Sequence, residues 1–173
     1  MLNSTAQQTQ TLELTAPVKL NDQHILDQFD SGDASIDDYL RRMARKAQAA
    51  RHTAVYVMCF KGTLVVAGYY TLSSGSTERS NVVPKSRQRN SPSDYPVTLL
   101  GRLGVTLAAQ GNGFGADLLH DAVERAITAS ESVGSSAIVV HPLNERLASF
   151  YSKHAGFIPC PQLSPITLML SMF

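Results

Sequence analysis

Between Gln110 and Gly115 the chain reads Gln-Gly-Asn-Gly-Phe-Gly, with an apolar strand-like run over 97–106 before it and a helical pattern over 115–130 after it. The first amides of a helix have no intrahelical partner and the positive end of its dipole faces outward. A strand, a glycine-rich loop and a helix start therefore make an anion site. Glycines at 111, 113 and 115 let the backbone approach a phosphate without interference from Cβ. A P-loop would need Lys-Ser or Lys-Thr after its glycines, whereas Ala116-Asp117 follow Gly115. A dinucleotide fingerprint would put an acid at the end of the next strand. Glu131 has nearly the right distance but falls at the end of the helix. Taken alone, the six residues are also compatible with a connection that holds no ligand.

Two groups of cations stand out against a net charge of only +1. Arg41, Arg42, Arg45, Lys46 and Arg51 lie on or just after one helical stretch, and Lys85, Arg87 and Arg89 lie in a polar segment, with Arg102 ahead of the glycine loop. Such groups can form the phosphate-contacting face of an RNA-binding protein, or simply a solvated surface. No two of the five histidines fall at i, i+4 on one helix with an acidic partner, and Cys59 and Cys160 are not spaced as ligands, so no metal site is expected. His141, ending a strand, is the histidine best placed for a role.

The elements that must position these residues are legible from periodicity. Ile36, Tyr39, Leu40, Met43 and Ala47 recur at helical spacing, with Ser35 and Asp38 resembling a capping box. Runs over 53–60 and 64–72, joined by Lys61-Gly62-Thr63, predict an antiparallel hairpin. A Ser-, Pro- and Asn-rich stretch over 73–96 predicts a long loop. A strand over 137–141, a helix over 144–154 ended by Gly156, and a strand over 165–172 complete the order. At 173 residues and 43% apolar composition, one domain over 12–173 is expected, behind a mobile polar tail over 1–11. The absence of a leader-like or membrane-spanning run and the unpaired cysteines suggest the cytoplasm.

The loop Gln110-Gly111-Asn112-Gly113-Phe114-Gly115, preceded by Leu100-Gly101-Arg102-Leu103-Gly104-Val105, resembles the Gln/Arg-x-x-Gly-x-Gly/Ala pyrophosphate loop of the GNAT acetyltransferases. Phe29-Asp30-Ser31-Gly32, Ile36-Asp37-Asp38-Tyr39-Leu40, Val66-Ala67-Gly68-Tyr69-Tyr70-Thr71-Leu72, Ala148-Ser149-Phe150-Tyr151 and Gly156-Phe157 resemble, in order, the GNAT-type toxins of bacterial toxin-antitoxin operons. The resemblance implies an α/β (α+β) GNAT fold, with a central mixed sheet flanked by helices and splayed between the strands near Leu103 and Val139. It implies acetyl-CoA held by the Gln110–Gly115 loop, by the backbone at Leu103 and Val105, and near Asn144. Tyr151 would supply the proton that the departing thiolate needs, since a phenol of pKa about 10 is protonated at neutral pH.

The implied substrate is the α-amino group of aminoacyl-tRNA, whose acetylation blocks translation, with RNA contacts from Arg41, Arg42, Arg45, Lys46, Lys85, Arg87, Arg89 and Arg102. The implied partners are a ribbon-helix-helix antitoxin, through which alone operator DNA would be reached, and a second copy in a homodimer. Two other readings share many of these features: an acetyltransferase for a small amine or protein N-terminus, and an inactive antitoxin-binding co-repressor. The family usually has three residues between the tyrosine and Gly-Phe, but Tyr151-Ser152-Lys153-His154-Ala155-Gly156 has four. Either the helix end carries an extra residue or Ser152 occupies the tyrosine position; the Phe150-Tyr151 pair favours the first.

Overall fold

The computed structural model describes residues 11–173, so the expected tail lies outside the described residues except for Thr11. Seven strands form one sheet in the order β1-β2-β3-β4-β5-β7-β6. They are β1 (Val18–Lys19), β2 (Ala54–Cys59), β3 (Val66–Glu78), β4 (Asp94–Val105), β5 (Ala137–Val140), β6 (Ile158–Pro159) and β7 (Leu168–Ser171). Neighbours are antiparallel except β4 and β5, which the crossover helix α3 (Phe114–Ser132) makes parallel.

Alternation along the strands gives the sheet two apolar faces, each with its own cover. On one, Leu118, Leu119 and Ala122 of α3 and Ala148 of α4 (Glu145–Ala155) bury against Ala67, Tyr70, Leu100 and Ile138. On the other, α1 (Ala34–Asp38), a π turn (Tyr39–Met43) and α2 (Ala44–Ala49) press Leu40 and Ala44 onto Val55, Val57 and Tyr69. A third cluster joins Val82, Tyr95 and Val97 to Val139 and Met169.

The feature that matters for function is a bulge in β4. Tyr70 pairs with Leu103 but Leu72 pairs with Leu100, so β4 carries one more residue than β3 between those pairs, at Gly101 and Arg102. The hydroxyl of Thr71 fills the broken ladder by accepting the Arg102 amide at 3.0 Å. A Cβ on Gly101 would stand 2.9 Å from that hydroxyl, so glycine is needed there. Pairing of β4 with β5 runs from Val97 and Ala137 to Leu100 and Val140, then stops. Past the bulge, β4 follows β3 alone to Val105. The sheet is thus mixed and splayed where expected, and backbone groups of residues 101–105 that face away from β3 have no strand partner.

Several expectations are corrected. The stretch over 73–96 is strand at its two ends, where β3 runs to Glu78 and β4 starts at Asp94, while 79–93 is the expected loop, carrying two short 3₁₀ turns (Arg79–Asn81 and Lys85–Gln88). Ser74, Gly75 and Ser76 are exposed and give no apolar alternation, so only the backbone ladder with residues 96–98 reveals the strand. The first helix is capped by Asp33, not by a Ser35/Asp38 box, because the Asp33 carboxylate accepts the amides of Ser35 and Ile36 at 2.9 and 3.4 Å. Hydrogen bonding, chiefly from the Ser35 hydroxyl, also holds that carboxyl below its ordinary pKa. The π turn shifts the helix phase by about one residue, so Ala44 is buried and Met43, expected in the stripe, is 54% exposed.

Replacing Thr71, which is 3% exposed, by Val should cost about 1–3 kcal/mol in urea unfolding, because the Arg102 amide would lose its partner at a buried site.

Candidate functional site

β4 ends at Val105 and the chain reaches α3 through a 3₁₀ turn (Leu107–Ala109) and the glycine loop. Gly111 and Gly113 take φ of +80° and +82°, the left-handed region where a Cβ is strained, and Gly113 is the N-cap of α3. Within α3 the first amide with a partner is that of Asp117, which donates to the Gly113 carbonyl at 3.2 Å. Among the described residues, the amides from Gly111 to Ala116 have no hydrogen-bond partner. All of these residues but Asn112 line a cavity of about 250 Å³ that is also lined by Val105, Phe150 and His154. A row of free amides, two left-handed glycines and the start of a 19-residue helix fit a pyrophosphate.

The side chains of the loop brace it and do not enter the cavity as donors. Gln110 Nε2 donates to the carbonyls of Val105 at 2.8 Å and Ser31 at 2.9 Å. Asn112 Nδ2 donates to the carbonyls of Ala109 and Gln110, both at 3.1 Å. The Phe114 ring packs on the core under α3, and Gly115 lies against Phe150. Leu103 packs on the same core past the bulge. Asn144 lies at the start of α4, where its Oδ1 caps the helix by accepting the Leu147 amide at 3.0 Å.

Tyr151 is half-buried on α4, edge-on to Phe150 at 5.3 Å and to Phe157 at 5.7 Å. Its hydroxyl has no hydrogen-bond partner among the described residues, and burial pushes the phenol up to about 12. Ser152 differs: its hydroxyl donates to the Phe157 carbonyl at 2.9 Å. Gly156, at φ +75°, ends α4 with its amide on the Ser152 carbonyl. α4 is continuous from Glu145 to Ala155, and of the two hydroxyls that of Tyr151 is the one without a hydrogen-bond partner among the described residues. A larger cavity of about 620 Å³ lies between α4 and the β6–β7 connection, with Ser152, Cys160 and Thr167 in its wall. None of the loop amides lines it.

The cations divide into two kinds. Arg41 donates to the Phe29 carbonyl, Arg45 to that of His24 at 2.5 Å, and Arg87 to an oxygen of Phe173 while lying over its ring. Arg102 sits over the Tyr39 ring at 3.8 Å. Arg42, Lys46, Lys85 and Arg89 are exposed, with no hydrogen bond or ion pair to another described residue. His141 is exposed, and its ring shares a 3.0 Å hydrogen bond with the Thr167 hydroxyl. Residue chemistry alone missed the roles of Ser31 and Thr106, which join the loop to the turn before α1; the Phe29-Asp30-Ser31-Gly32 block was the one signal that pointed there.

No protein-family model matches the chain. Over 158 residues it is 39% identical to the tRNA-acetylating toxin of Mycobacterium tuberculosis, a match covering 91% of this chain and 92% of that one. The solved structure of AtaT complexed with acetyl-methionyl-tRNA aligns with a TM-score of 0.84 at 31% identity, over 92% of this chain and 95% of the other. A tyrosine-to-phenylalanine mutant of AtaT, bound to acetyl-CoA and the C-terminus of the antitoxin AtaR, aligns with a TM-score of 0.76 at 29% identity, over 92% and 93%.

The two glycines flanking Phe114 should respond differently to alanine. A methyl at Gly113 meets nothing within 4 Å, so Gly113→Ala should lose about 1–2 kcal/mol from left-handed strain alone. Gly115→Ala makes only ordinary contact with Phe150 inside a helix and should stabilise by under about 1 kcal/mol. Urea unfolding of both variants checks the contrast.

Proposed function

The chain belongs to the GNAT-type acetyltransferase toxins of toxin-antitoxin systems, and on that premise we propose that it acetylates the α-amino group of aminoacyl-tRNA and so blocks translation. The observation that carries this reading is the row of unpartnered amides from Gly111 to Ala116, in a chain 39% identical to a tRNA-acetylating toxin. The enzyme is an N-acetyltransferase, and acetyl-CoA supplies the acetyl group as a thioester. The amides of 111–116 hold the pyrophosphate. The backbone of Leu103 and the amide of Val105, which have no strand partner on the side facing away from β3, offer hydrogen bonds to the pantetheine arm, and the start of α4 at Asn144 lies toward the acyl end.

The substrate amine attacks the thioester carbonyl, the carbon–sulfur bond breaks, and a proton must reach the sulfur. Tyr151 donates that proton, and the proton that the nitrogen releases as the amide forms returns through solvent to restore the phenol. Its raised pKa keeps the phenol protonated, and its hydroxyl is not tied to another described residue. The attacking nitrogen needs little help from a base, because an α-amine of pKa near 8 is about a tenth neutral at pH 7. A lysine, with pKa about 10.4, would be neutral only to a few parts in ten thousand.

Arg42, Lys46, Lys85 and Arg89 meet tRNA phosphates, with Arg41, Arg45, Arg87 and Arg102 shaping the surface around them through their own intramolecular contacts. An antitoxin encoded beside the gene neutralises the enzyme. A cytoplasmic site of action follows from an aminoacyl-tRNA substrate on this reading; among the described residues no helix is long and apolar enough to cross a membrane.

The direct test is cell-free translation. Added protein should stop synthesis only when acetyl-CoA is present, and the blocked tRNA should carry an acetylated amino acid; arrest without acetyl-CoA would point to another activity. Tyr151→Phe should abolish turnover with acetyl-CoA affinity intact. Because the acid form of Tyr151 does the work, activity should climb as the substrate amine deprotonates near pH 8 and should not fall again until pH approaches 12. A descending limb below about pH 10 would count against the tyrosine. Charge reversal at Arg42 and Arg89 should weaken tRNA binding and flatten its salt dependence by roughly one unit of slope for each phosphate no longer met, leaving KM for acetyl-CoA unchanged.

A further inference from the structure

Asp37 is a carboxylate only 6% exposed, with no cation paired to it among the described residues. Burying such a group is costly unless hydrogen bonds replace its water. Both bonds that do so come from one residue: Ser31 donates its amide at 2.9 Å and its hydroxyl at 2.7 Å to Asp37 Oδ1. This fixes the turn before α1, and the Ser31 carbonyl then accepts Gln110 Nε2 from 79 positions further along the chain. The other hydrogen of that amide goes to the Val105 carbonyl, so Gln110 has no donor left for a ligand. The next residue back makes the same junction: Asp30 donates its amide to the Thr106 hydroxyl at 3.0 Å, and its carbonyl accepts the Thr106 hydroxyl at 3.0 Å and the Leu107 amide at 2.7 Å.

We propose that Asp37 is a positioning residue for acetyl-CoA, acting through Ser31 and Gln110 to hold the amides of 111–116 in their binding arrangement. Gln110, on this assignment, serves the pyrophosphate by clamping the loop between the end of β4 and the turn before α1, with the backbone making the contact. The inference rests on the acetyl-CoA reading of the loop and adds what fixes its shape.

Calorimetric titration of acetyl-CoA into the full chain, alongside kinetics with aminoacyl-tRNA, tests it. Asp37→Ala and Gln110→Ala should each raise Kd for acetyl-CoA by about 10-fold, and the double substitution should be little worse than either alone, because both cut the same connection. Asp37→Asn keeps Oδ1 as an acceptor for both Ser31 donors and should restore Kd to within about 3-fold of the unsubstituted protein. For Asp37→Ala, KM for acetyl-CoA should rise with kcat at saturation and KM for tRNA unchanged. Where Asp37→Ala does not fold, Ser31→Ala removes the hydroxyl's bonds to Asp37 at 2.7 Å and from the Asp33 amide at 3.2 Å while keeping the Ser31 amide and carbonyl bonds, and should raise Kd by about 3-fold. Additive effects in the double variant, or an alanine variant of lower stability with unaltered Kd, would overturn the proposal. Failure of the unsubstituted protein to bind acetyl-CoA would overturn the cofactor reading along with it.

Discussion

Everything at this site follows from the parting of two parallel strands. A sheet is stable because each strand's backbone groups find partners on both sides, and β4 gives this up after Leu100. The extra residue at Gly101 and Arg102 forces the change: it bends β4 away from β5, and the Thr71 hydroxyl makes the bend tolerable by taking the amide that the ladder drops. What remains is a strand with one side unpaired, running straight into a loop whose amides are also unpaired. Open backbone of this kind is free to exchange water for a ligand, and a thioester carrier with an amide-containing arm and a pyrophosphate has groups for both stretches.

The loop does not keep its shape by itself. Positive φ at Gly111 and Gly113 allows the path, but the path is enforced by contacts from the other end of the chain, through Asp30, Ser31 and the buried Asp37. The helix that carries Asp37 also leads into the turn and helix bearing Arg42 and Lys46. The glycine loop and the exposed cations Arg42 and Lys46 are thus joined through one short stretch of chain and its hydrogen bonds. On α4 the Tyr151 hydroxyl has no partner among the described residues, and burial beside Phe150 and Phe157 raises its pKa.

Net charge was a poor guide to the surface. The balance of +1 conceals nine clustered cations, and proximity in sequence did not sort them. Arg41 and Arg42 are adjacent, yet one is tied to the Phe29 carbonyl and the other is unbonded among the described residues. The same holds for Arg87, held against Phe173, and Arg89, two residues on. A long side chain reaches whichever backbone carbonyl the fold brings near it, and that depends on residues far away.

Local chemistry was legible in the chain. Glycines at 111 and 113, the periodic apolar residues of α3, the hairpin at Lys61-Gly62-Thr63 and the helix stop at Gly156 each express a backbone preference that few residues satisfy, and each is found where that preference predicts. The splay near Leu103 was implied by resemblance; its cause was not visible, because a bulge is a mismatch between two strands and neither strand shows it alone. The polar arm of β3 was read as loop for the same reason, since its order comes from the ladder with β4 and not from buried side chains. The clamp from Asp37 through Ser31 to Gln110, the phase shift that buries Ala44, and the difference between the unbonded Tyr151 hydroxyl and the Ser152 hydroxyl tied to Phe157 were decided only in three dimensions. Sequence determines what each residue can bond; the tertiary structure decides which of those bonds is taken, because each needs a partner that folding alone brings within reach.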